Sequence, residues 1–151
     1  MSHVVAIKTE LTDLAAVKAA CKELGLVFKE GQKTIRWFGE WMNDYAAADA
    51  AYKLGIKPEQ YGTADHAIEV PGSGYDVGLL RNPETGGYKI YFDFFGQDGA
   101  KIQKAIGEGG EKLLQRYAVI KTENTAKAKG WLTTRKNVPN TQKIQVVITG
   151  V

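Results

Sequence analysis

The chain opens on a short β-rich run, Val4-Val5-Ala6-Ile7-Lys8-Thr9, which stops at Leu11-Thr12-Asp13. Thr12 or Asp13 can cap a helix. Leu14, Val17, Cys21 and Leu24 then follow at offsets of three, four and three, which places them on one helical face, and Gly25 is suited to end that helix in a left-handed conformation. A second strand is predicted within residues 26–38, with Gly31 as a turn or bulge. Residues 39–64 read as a helical insertion: Ala46-Ala47-Ala48-Asp49-Ala50-Ala51 has high helix propensity, and Gly55 and Pro58 close it.

Strand patterns return at His66-Ala67-Ile68-Glu69-Val70, which ends at Pro71-Gly72-Ser73-Gly74. Residues 75–81 pair naturally with 88–95 across a turn rich in Asn, Pro and Gly. A helical region is expected over about residues 98–129, broken at Gly107 and Gly109-Gly110. Residues 131–136 and 142–149 form a terminal hairpin whose second strand alternates Ile144, Val146 and Ile148 with Lys143, Gln145 and Val147. The order of elements predicts an α+β fold: an antiparallel sheet with two main helices on one face, on a ferredoxin-like plan with a helical insertion.

Composition adds bounds rather than a function. A chain of 151 residues fits one domain, 1–151, able to bury roughly 68–70% of its unfolded surface. With 44% hydrophobic and 25% charged residues it reads as globular. The net charge of +3 favours solubility and names no partner. One cysteine excludes an internal disulfide, the first residues carry no signal-like segment, and no run reaches the ~20 apolar residues of a membrane span. The expected location is cytoplasmic, or inside a larger assembly such as a virion.

Met1-Ser2-His3, Ile7-Lys8-Thr9, Asp13-Leu14, Tyr75-Asp76-Val77-Gly78 with Arg81-Asn82, and above all Gln115-Arg116-Tyr117-Ala118 resemble the hypothetical chloroplast reading frame thirty-five family. That is a domain of unknown function from plastids, cyanobacteria, other bacteria and bacteriophages. The resemblance implies no activity, substrate or catalytic residue. Against the family pattern, residues 39–64 read as inserted, residues 99–110 are longer and richer in glycine, and the chain after Trp131 is only loosely similar; such departures suit a phage or otherwise divergent member.

Candidate chemistry is sparse. His3, His66 and Cys21 are too few for a metal site, and Cys21 belongs to a core face. Ser73 lacks the Gly-x-Ser-x-Gly spacing of a nucleophile turn. Asp76 and Asp93, on the two arms of one hairpin, are the best acid–base pair, although acids on paired strands are expected on a solvated face. Gly107, Gly109, Gly110 and Lys112 match the spacing of the nucleic-acid-binding loop of KH domains, with Glu108 and Glu111 opposing phosphate. Tyr88, Ile90, Phe92 and Phe94 alternate with Lys89, Tyr91, Asp93 and Phe95, so an outward sheet face could present an aromatic ring to a base. Tyr117 reads as a core anchor with its hydroxyl at the boundary, and Arg116 as the partner of a carboxylate.

Within the insertion, Trp41, Tyr45, Ala48 and Tyr52 are spaced by four, three and four, an aromatic stripe suited to docking. The leading expectation is a non-catalytic accessory protein without cofactor, acting through Trp41, Tyr45 and Tyr52 on a protein partner or on another copy. The alternative is a nucleic-acid-binding domain that uses the glycine loop or the aromatic sheet face.

Overall fold

A computed structural model describes residues 4–37, 60 and 62–150. Its main sheet is antiparallel, with five strands in the order β1-β5-β4-β3-β2: β1 is Val4–Leu11, β2 Val27–Lys29, β3 His66–Glu69, β4 Asp76–Arg81 and β5 Tyr88–Asp93. The strands β2 to β5 form a meander, and β1 pairs with β5 at the far edge, Ile7 opposite Ile90. Helix α1, Leu14–Glu23, therefore carries the chain from one edge of the sheet to the other. It begins where Asp13 caps it, Oδ1 accepting from the Ala16 amide at 3.1 Å, and it is followed by Gly25 at φ +73°.

Helices α2, Gly96–Ile106, and α3, Glu111–Ala128, meet at the glycine break. All three helices cover one sheet face. Val17, Ala20 and Cys21 of α1, Ile102 and Ile106 of α2, and Leu113, Tyr117 and Ile120 of α3 pack with Ile7, Ile68, Val77, Leu79, Ile90 and Phe92. Leu14 and Leu24 lie half-buried beside them, so the four-residue face expected of α1 is the face it buries. Burial pushes the Cys21 thiol up to about 12, so it is a small core hydrophobe.

The other face is closed by the chain itself. Residues 33–37 and 62–64 run over it, joined by a bridge between Thr34 and Thr63, and bring Ile35, Trp37 and Ala64 onto Ala6, Ala67 and Tyr91. Gly78 is required here, because a Cβ would stand 2.5 Å from the Tyr91 ring that lies over it. The Tyr91 hydroxyl donates to the Thr63 carbonyl. The stretch read as a helical insertion thus ends, at Thr63 and Ala64, in chain bonded to residues 33 and 34.

The terminal hairpin forms where it is expected, but outside the main sheet. The terminal strands β6, Leu132–Asn137, and β7, Ile144–Thr149, pair only with each other and form a second sheet that lies on α3. The closing strand of the second strand–helix–strand unit of a ferredoxin-like plan therefore never enters the main sheet, and β1 stands at its edge. The cause is visible in α3: the side of it facing away from the core also carries buried groups, Val119 and Ala126, which give the hairpin a surface of its own. Among the described residues, no helix is long and apolar enough to cross a membrane.

Candidate functional site

Asp76 and Asp93 stand at the same end of the face opposite the helices, each two residues beyond the Gly78–Tyr91 pair. They are buried, at 2% and 1% exposure, which corrects the expectation of a solvated face. Asp76 survives burial because Arg36 surrounds it: Oδ2 accepts from the Arg36 amide at 2.9 Å and Oδ1 from Nη2 at 2.7 Å, with Nε donating to both oxygens. These hydrogen bonds to Asp76 hold the Arg36 guanidinium above its ordinary value, against the opposing effect of burial. Asp93 Oδ1 accepts from the Phe95 amide at 2.9 Å. Asp76 thus fastens residues 33–37 to the sheet, beside an open cleft of about 570 Å³ lined by Lys29, Arg36, Glu69 and Trp37. Among the described residues no three His, Cys, Asp or Glu side chains are grouped to hold a metal ion.

The aromatic strand does not present a base-stacking face. Phe92 is fully buried under the helices and Tyr91, at 1% exposure, under residues 33–37 and 62–64, so each face of β5 is covered.

The glycine loop is already occupied by a carboxylate. Gly107 is at φ +94° and Gly110 at φ +73°, and a Cβ at Gly110 would meet Ile7 Cδ1 at 2.1 Å, so this loop packs on the sheet. Glu111 Oε2 accepts from the Gly109 amide at 2.8 Å. Hydrogen bonds from its own amide and those of Gly109 and Glu108 hold the Glu111 carboxyl below the usual range, despite a small opposing effect of burial. A phosphate at Gly107, Gly109 and Gly110 would have to displace that side chain. Lys112 is exposed and, with Glu111, lines a cleft toward the terminal hairpin, described next. Trp41, Tyr45 and Tyr52 lie outside the described residues.

The surface that sequence reasoning missed is formed by α3 and the hairpin. Ile144 and Ile148, on one face of β7, end in two clefts about 13 Å apart along the strand. The cleft at Ile148 holds about 390 Å³ and is mostly apolar, with Tyr117, Thr122, Ala126 and Trp131. Lys129 Nζ lies 4.7 Å from the centroid of the Trp131 ring. The cleft at Ile144 holds about 510 Å³ and carries charged side chains of both signs at its walls, Glu111, Lys112, Arg116 and Lys143, with Gln115 and Asn137. A salt-bridge network anchors the hairpin: Arg135 reaches Glu23 and Glu123, both at 2.6 Å, and Arg116 reaches Glu23 at 2.9 Å. The opposite face of the hairpin carries Leu132, 71% exposed, with Thr134 and Val147.

The Gln115-Arg116-Tyr117 motif is accounted for by these contacts. Arg116 ties α3 to the end of α1, and Tyr117 Oη accepts from the amides of Thr12 and Asp13 at 2.9 and 3.1 Å, at the start of α1. Burial pushes the Tyr117 phenol up, but the Thr12 hydroxyl, the two amides and Lys121 outweigh it and hold the group below its ordinary value. Comparison with protein-family models, with curated proteins and with solved structures gives no match.

Proposed function

We propose that this chain is a non-catalytic accessory protein that acts through protein–protein contact, made by β7 pairing with β7 of a second copy. The observation that carries the reading is the hairpin that stands outside the main sheet. β7 reads Ile-Gln-Val-Val-Ile-Thr, with neither a charge nor a proline, and its outer edge pairs with no strand among the described residues. Exposed edges are ordinarily blunted by charge, as β6 is by Arg135 and Lys136. Two identical uncharged strands can pair antiparallel about a two-fold axis without setting like charges opposite each other. The buried, fully bonded Asp76 also fits a structural rather than catalytic role.

Sedimentation equilibrium should find a dimer, and Val147→Lys, which places a charge on this edge, should give a folded monomer. A wild-type chain that is monomeric at the highest attainable concentration would overturn the reading.

The aromatic stripe of Trp41, Tyr45 and Tyr52 supplies a second contact under the same proposal. W41A/Y45A should keep its circular dichroism and melting temperature and lose association with a partner; a strongly destabilised variant would assign the stripe to the protein's own core. Kinship with the chloroplast reading frame thirty-five family is proposed on the residues quoted above, and a place in the cytoplasm or within a larger assembly fits a protein of this kind.

A further inference from the structure

The net charge of +3 conceals an uneven distribution. From Glu111 to the end of the chain stand eight Lys and Arg against two Glu, a net of +6, so the preceding 110 residues net −3. The basic part is the unit formed by α3 and the hairpin. Its arginines are neutralised by Glu23 and Glu123, but Lys112, Lys127, Lys129, Lys136 and Lys143 have no carboxylate within salt-bridge distance among the described residues. Lys112 and Lys143 both line the cleft at Ile144, together with Arg116 and Glu111, whereas Lys136, opposite Gln145, lies on the other face of the hairpin with Leu132. At the other end, Trp131 lines the apolar cleft with a lysine ammonium at its ring and 36% of its surface exposed.

Cations that no carboxylate neutralises suit a polyanion, and an accessible aromatic ring in an apolar cleft suits a flat, unstacked base. We infer that α3 and the hairpin bind single-stranded nucleic acid, with phosphates at Lys112 and Lys143 and a base stacked on Trp131. A duplex fits less well, because its bases are already stacked and cannot enter the apolar cleft. The site shares the hairpin with the proposed dimer contact but not its groups: strand pairing uses the backbone of β7, whereas the nucleic acid uses lysine side chains and Trp131.

The test is fluorescence anisotropy with labelled oligo(dT) and oligo(U) of about twenty nucleotides, longer than the usual site of one such domain. Both should bind, with a log–log salt slope of about −1.4 for two phosphate contacts. K112E/K143E should weaken binding at least ~10-fold at low salt and remove most of that slope. Trp131→Ala, folded by circular dichroism, should weaken it roughly 5- to 150-fold. Val147→Lys should still bind, so failure of the dimer contact and failure of nucleic-acid binding are read separately. The inference is overturned by absence of binding at low salt, by wild-type affinity in K112E/K143E, by a duplex of equal length binding as tightly, or by poly-glutamate competing as well as the oligonucleotide. The last result would assign the surface to an acidic protein segment.

Discussion

Phe92→Ala should remove about 3–5 kcal/mol of stability, a large part of the 5–15 kcal/mol typical of a domain. Phe92 has no exposed surface. It sits on β5, between β1 and β4, and points into the layer where α1, α2 and α3 meet the sheet. Truncating the ring leaves a cavity that three helices and two neighbouring strands cannot all move to fill, so the cavity adds to the lost burial. For a chain of this size the loss amounts to a fall in melting temperature of roughly 6–20 °C. Phe95→Ala is the control: that ring is 37% exposed just beyond the same strand, and its removal should cost far less. Urea denaturation of the two variants checks the prediction. A Phe92→Ala variant within about 1 kcal/mol of wild type would mean that the helices do not pack on this face as described.

Much of this layer was legible in the sequence because each part of it has a local cause. The offsets of Leu14, Val17, Cys21 and Leu24 set the buried face of α1, Asp13 and Gly25 set its limits, and the Asn-Pro-Gly turn sets the hairpin of β4 and β5. The break between α2 and α3 falls where Gly107 and Gly110 stand at positive φ. What could not be read depends on partners distant in the chain. The period of two in β7 says that one side is buried, but not whether a sheet or a helix buries it. The burial of Asp76 depends on Arg36, forty residues earlier, and without that partner the solvated reading was the reasonable one.

The basic surface was hidden in a different way. The whole-chain charge averages an acidic first part and a basic last part, so counting by segment would have exposed it. The glycine loop drew attention through its spacing, whereas the chemistry of the site depends on where the Glu111 side chain goes, and spacing carries no information about that.

Tyr117 allows the packing and polar roles of a motif residue to be separated. Tyr117→Ala should cost about 3–5 kcal/mol, since the ring is 6% exposed and belongs to the main core. Tyr117→Phe keeps the ring and removes only the hydroxyl. That hydroxyl accepts from the Thr12 and Asp13 amides and stands 3.2 Å from Thr12 Oγ1, to which Lys121 Nζ donates at 2.7 Å. Removing it leaves two partly buried amides without their acceptor at the entry to α1, which should cost about 1–3 kcal/mol. Because these contacts join α3 to the start of α1, the loss should be local as well as global. Hydrogen exchange of the Thr12 and Asp13 amides should accelerate in Tyr117→Phe more than that of the β5 amides. The acid limb of stability should be the same in both proteins, since no carboxylate is among the groups that the hydroxyl contacts. If Tyr117→Phe matches wild type in stability and in exchange at Thr12 and Asp13, the hydroxyl does not tie the two helices, and the motif must be explained by the packing of its ring and by the Arg116–Glu23 pair.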